Sequence, residues 1–127
     1  MTPFEEQFEI LKAEFPNVVH QKLPSGAILL TFSAMVLPPG WSSASTDIRF
    51  IAPVGFPFAK PDCFWASPDL RLKNGGMPKA AQLQKIPETT DIVPQLWFSW
   101  HLSQWNPSQD NLSSFAHVIQ GRLRESQ

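Results

Sequence analysis

The chain has 127 residues, 43% of them hydrophobic and 17% charged, with a formal net charge of −1, which describes one soluble globular domain able to bury a core without metal or disulfide support. That charge balance offers no footprint for nucleic acid or anionic lipid, and a single cysteine excludes an internal disulfide and a cysteine-built zinc site. No apolar run approaches the ~18 residues of a membrane span, and no basic-then-apolar leader opens the sequence, so a cytoplasmic protein is expected. Ten phenylalanines, five tryptophans and no tyrosine predict an aromatic-heavy core, and thirteen prolines predict long loops.

The chain opens with a helix signal. Thr2 can cap it, Pro3 suits the first helical position, and Glu5 completes a T-x-x-E capping box. Phe4, Phe8, Leu11 and Phe15 then make one apolar stripe, which Pro16 ends. Three strands follow: a short one over 18–22, a long one over 27–36 after the Ser25–Gly26 turn, and a third over 47–52. Alternation puts Ile28, Leu30, Phe32, Ala34 and Val36 on the inner face of the second strand and Ile48 and Phe50 on that of the third. Leu37–Ser43 reads as a loop, because its Pro-Pro-Gly run cannot pair in a sheet. A helix followed by antiparallel strands in meander order is an α+β domain with the helix on one sheet face.

Residues 66–95 read as a long irregular loop broken by Pro78, Pro87 and Pro94, with a possible short strand at Leu70–Leu72 and solvated lysines at Lys79 and Lys85. Three of the five tryptophans then fall within Trp97–Pro107. If that segment is extended, Phe98, Trp100 and Leu102 share a buried face, and Trp97, Ser99, His101 and Ser103 share the other. A final helix begins near Ser108 or Asp110, either of which can cap it. It carries the stripe Leu112, Phe115, Ile119, Leu123, with Arg122 and Arg124 at its C-terminal end, where the helix dipole favours cations. His117 lies off the stripe and is expected to be exposed.

Phe56–Pro57–Phe58 and Pro61, followed by Cys63–Phe64–Trp65, resemble the aromatic-Pro-Phe-x-x-Pro hallmark that leads into the fourth strand of the ubiquitin-conjugating enzyme superfamily. Trp105–Asn106–Pro107 and the helix after it resemble that superfamily's Trp-Ser-Pro and central helix. With Leu37–Pro38–Pro39–Gly40, Thr46–Asp47 and the Ser99-x-His101…Trp105 pattern, the ordered set is similar to a bacterial branch, prokaryotic family E. The resemblance implies one ubiquitin-conjugating-enzyme-like domain over residues 1–127. Its expected parts are an N-terminal helix, a four-stranded antiparallel meander, a long active-site loop and a C-terminal helix, a minimal version of the fold. It also implies two partners, a ubiquitin-like protein and the activating enzyme that spends ATP on it, with no cofactor or metal in this chain. Phe4, Glu5 and Phe58 correspond to places where the superfamily docks such factors.

One departure bears on chemistry. The superfamily's catalytic cysteine precedes this tryptophan by about eight residues, and counting back eight from Trp105 reaches Trp97. The His-Pro-Asn element is not visible between Trp65 and Trp97 either. Three side chains are left as acyl acceptors. Cys63, in an apolar strand, reads as a small hydrophobe with a raised pKa. Ser99 needs a base to become nucleophilic, and His101 is two residues away on the same face. Side chains two apart on a strand are separated by some 6–7 Å, so a bend or a water is required. Otherwise His101 bonds a loop carbonyl and Ser99 a backbone group. Ser103 is a weaker acceptor. Two classes stay open: a carrier that takes up and passes on the ubiquitin-like protein, and a non-catalytic adaptor that binds it or its activating enzyme.

Overall fold

The computed structural model describes residues 2–90, 92–100 and 104–127. The first helix, α1 (Pro3–Glu14), starts as its sequence dictates: the Thr2 hydroxyl accepts the Glu5 N–H at 3.1 Å and Pro3 opens the first turn. Glu5 and Glu6 at its positive end and Lys12 at its negative end match its dipole. Phe8 and Leu11 are buried, with Phe4 and Phe15 packed beside the core.

The strands are β1 (Val19–Lys22), β2 (Ile28–Val36), β3 (Ser45–Ala52), β4 (Phe64–Ala66), β5 (Ala81–Gln84) and β6 (Gln95–Phe98). They form one antiparallel sheet in the order β1-β2-β3-β4-β6-β5. The first four follow the expected meander; the sheet has six strands rather than four. The stretch read as irregular supplies β5, and the tryptophan segment enters as β6 between β4 and β5. Ala81–Gln82–Leu83–Gln84 has little strand propensity or alternation of its own. Its extended form comes from pairing with β6, so no local signal announces it. Within 70–72 only Leu72 pairs, in a single bridge to Trp41.

The long second strand departs from its expected alternation. Its register against β3 slips between Phe32 and Met35, where Ala34 has φ 55° and donates its N–H to the Asp47 carboxylate at 3.1 Å. This bulge reverses the faces beyond it. Leu30 and Phe32 point into the core as expected, but Met35 then replaces Ala34 and Val36 there, and Val36 is 83% exposed. On β3 Ile48 and Phe50 are fully buried, as alternation requires.

The second helix, α2 (Leu112–Leu123), is capped by Asn111 and not by Ser108 or Asp110. Asn111 accepts the Ser114 N–H at 2.8 Å and Ser114 returns the bond to the Asn111 N–H at 2.7 Å. Asp110 and Ser108 are instead held by Asn106, in the turn before the helix. Leu112, Phe115, Ile119 and Leu123 are all buried. Both helices lie on one sheet face, over the main core that includes Phe32, Phe50, Phe64 and Phe98. They are joined by the Gln7 side chain accepting the Leu112 N–H at 2.9 Å and by exposed His117 meeting Glu14 at 2.7 Å. The opposite sheet face carries a second, smaller cluster: Leu23, Ala27, Leu29, Trp65 and Ile86, flanked by Ile51, Cys63 and Trp97. Among the described residues no helix is long and apolar enough to cross a membrane.

Candidate functional site

The tryptophan segment is extended only as far as Phe98. Leu96 and Phe98 face the main core, Phe98 stacking on Phe64 at 4.7 Å between ring centroids. Trp97 lies on the other face, paired across the ladder with Trp65. That face, expected to be hydrophilic, is lined here by the second apolar cluster. The Ser99 N–H donates to the Ala80 carbonyl at 2.9 Å, and the Trp100 N–H donates back to the Phe98 carbonyl at 2.9 Å. The backbone therefore bends immediately after Ser99, which is half-buried. His101 and Ser103 lie outside the described residues, so the Ser99–His101 pairing has no geometry here.

Cys63 stands one residue before β4, not within it. The β4–β6 register pairs Phe64 with Phe98 and Trp65 with Trp97; continued by one residue it places Cys63 opposite Ser99. Two of the candidate acyl acceptors, 36 positions apart in sequence, thus adjoin the same end of the β4–β6 pair. Cys63 borders a mainly apolar cavity of about 210 Å³ with Ile51, Pro53, Lys60, Asp62, Trp65 and Pro87. Burial pushes its thiol pKa up, the nearby Trp97 indole N–H draws it partly back, and the Asp62 charge adds to the rise. A thiol so placed is protonated at neutral pH and a poor nucleophile. Among the described residues, no acceptor stands in hydrogen-bonding geometry to the buried indole N–H groups of Trp65 and Trp97.

The two motifs behind the resemblance meet in space. Trp105 donates its indole N–H to the Pro57 carbonyl at 2.7 Å, and its ring lies 6.0 Å from that of Phe56. The peptide between Phe56 and Pro57 is cis. This docking turns Phe58 outward, 83% exposed. Of the other two residues carried over as contact points, Glu5 is exposed on α1, whereas Phe4 is half-buried with its ring against Phe8 and His20.

Arg122, expected as a cation at a helix end, is instead 2% exposed. Its guanidinium lies over Phe98 and Trp100, at 5.2 and 5.3 Å from the ring centroids. It donates to the carbonyls of Lys79, Glu125 and Gln127, each at 2.8 Å. One side chain thus ties α2, the start of β5 and the C-terminal residues to the tryptophan segment. The sequence gives only a faint sign of this, an arginine adjoining the apolar stripe at Leu123.

A family model described as Prokaryotic E2 family E matches residues 12–126. The chain belongs to prokaryotic E2 family E. The match covers all six strands, the second apolar cluster, the Phe56–Phe58 turn, Trp105 and α2, starting near the end of α1, and makes this a ubiquitin-conjugating-enzyme-like protein of a bacterial pathway. No curated protein and no solved structure matches the chain.

Proposed function

We propose that this member of prokaryotic E2 family E binds a ubiquitin-like protein together with its ATP-dependent activating enzyme, and presents the ubiquitin-like protein without forming a cysteine thioester. One observation carries this reading. The position eight residues before Trp105 holds Trp97, whose ring packs into the second apolar cluster, and the only thiol, Cys63, is half-buried with its pKa raised. Neither arrangement supplies the exposed thiolate that thioester exchange requires. Exposed Phe58 and Glu5 support docking of the partners along the hallmark turn and α1.

A second reading, an oxyester carrier, is favoured by the position of Ser99. It is half-buried, its backbone is held by Ala80, and it lies at the bend where the segment leaves the sheet. In that reading His101 removes the hydroxyl proton as Ser99 Oγ attacks the activated C-terminal carbonyl, and the activating enzyme's thiolate leaves.

One mixture separates the two: the purified protein, the activating enzyme and ubiquitin-like protein encoded beside it, and ATP. The adaptor reading expects stable co-purification and no covalent adduct. An adduct that survives thiol reductant, is cleaved by mild base and disappears in Ser99→Ala establishes the carrier. An adduct lost only in Cys63→Ala moves the acceptor to the thiol, and neither adduct nor co-purification removes both readings.

A further inference from the structure

The open edge of the sheet is β5, and its hydrogen-bonding pattern is determined by one bond. Because the Ser99 N–H donates to the Ala80 carbonyl, that carbonyl faces β6, and in the same register Gln82 opposite Trp97 and Gln84 opposite Gln95 turn their backbone groups toward β6. Ala81 and Leu83 then direct their N–H and C=O groups away from β6, to a side where no strand pairs among the described residues. Ala80, with φ 59°, ends the extended run, and Lys79 lies just before that break. Its N–H is taken by the Gln127 carbonyl at 3.0 Å and its C=O by Arg122, so the protein's own chain occupies the start of the edge and leaves the rest open. The edge is short and uncharged, with Leu83 48% exposed, and a lysine stands beyond each end, Lys79 and Lys85, both exposed. An unpaired edge of this kind is a template for strand addition.

We propose that β5 receives the extended C-terminal tail of the ubiquitin-like protein as a seventh strand, antiparallel to β5, with the terminal carboxylate at Lys79. This rests on the reading that such a protein is the partner. Four backbone bonds, to Ala81 and Leu83, hold the tail; Leu83 gives an apolar side chain of the tail something to cover; and the two lysines select an occupant carrying carboxylates. Charge disfavours a second copy of this chain as the occupant. In the register in which two β5 edges make all four bonds, the Lys79 end of each copy lies beside the Lys85 end of the other, so like charges meet twice. Arg122 is already committed to three carbonyls, which leaves Lys79 to meet the carboxylate. With strands about 4.8 Å apart, the tail's end lies about 10 Å from the β6 chain, at the Ala80–Ser99 pair.

The test uses the full chain, labelled with ¹⁵N, and the acetylated peptide Glu-Thr-Val-Thr-Val-Gly-Gly, whose first residue lies opposite Lys85, as free acid and as C-terminal amide. Binding is expected to shift the amide signals of Ala81 and Leu83 and slow their exchange with solvent. The acid should bind about two- to fivefold more tightly than the amide, and Lys79→Glu and Lys85→Glu should each weaken it by a similar factor. Leu83→Pro removes an N–H that the internal ladder does not use, so it should abolish binding in a protein whose remaining spectrum is unchanged. If that variant misfolds, the two lysine variants still decide. Shifts centred elsewhere, no binding, or indifference to all three variants overturns the proposal. So does a wild-type dimer that Leu83→Pro makes monomeric. Intact ubiquitin-like protein that binds wild type and Leu83→Pro equally removes the edge but keeps the partner. Peptide binding without binding of the intact protein keeps the edge and removes the partner.

Discussion

Arg122 and Cys63 show how a side chain's chemistry is set by what surrounds it. The arginine is taken out of water and compensated by three main-chain oxygens and two aromatic faces. Replacing it with methionine keeps much of the volume but removes three charge-assisted bonds and both ring contacts, and leaves the Lys79 carbonyl without its donor. Arg122→Met should therefore cost about 3 kcal/mol in urea unfolding, far more than a surface cation would. For Cys63, burial favours the neutral thiol, so its folded pKa lies above the unfolded one. Folding then gains from the thiol at any pH below the ordinary value of about 8.5, and loses that gain as pH rises through the folded pKa. The urea midpoint should fall between pH 7 and pH 10, by less in Cys63→Ala. Iodoacetamide should modify Cys63 more slowly at pH 8 than it modifies an unfolded-chain thiol. The raised pKa of Cys63 follows from the apolar strand it adjoins, as its sequence neighbours lead one to expect, but the partners of both residues come from far along the chain. The partners of Arg122 include a carbonyl 43 positions away, and the neighbours of Cys63 include Trp97, contributed by another strand.

At the level of elements, helices and strands differ in how much of themselves they carry locally. Both helices were legible from their periodicity, because every fourth or third residue on one face meets the same sheet. α1 also kept its expected cap. The cap of α2 moved to Asn111 because Ser114 offers a return bond to the Asn111 N–H, while Asp110 is drawn into the Asn106 turn. The bulge in β2 was not legible, since it arises from a register slip against β3 and an N–H captured by Asp47. The docking of the Phe56–Phe58 turn on Trp105 rests on one indole bond across 48 positions. Trp105→Phe removes that bond and keeps an aromatic ring against Phe56, so it should cost about 1 kcal/mol, measured as a shift in urea midpoint. It should also lower partner binding if the turn's orientation of Phe58 matters for docking.

For the molecule as a whole, stability and recognition draw on different residues. Phe50 and Phe115, 4.8 Å apart and both fully buried, join β3 to α2, whereas Phe58 reaches into solvent. Phe58→Ala should leave unfolding free energy within about 0.5 kcal/mol of wild type. The same change should weaken capture of the activating enzyme or ubiquitin-like protein in a pull-down; unchanged capture would remove Phe58 from the docking surface.

By itself the sequence determined the class of fold, the two helices, the first strands and membership in the family, because periodicity, caps and proline-bounded turns are local and survive without knowledge of neighbours. What only the tertiary structure decided were the six-stranded sheet with β6 inserted beside β4, the burial of Arg122, the bend at Ser99 beside Ala80, and the open edge of β5. Each depends on pairing between segments far apart in the chain. A four-residue strand such as Ala81–Gln84 gains its conformation from hydrogen bonds to a partner, and those bonds leave no trace in its own residues.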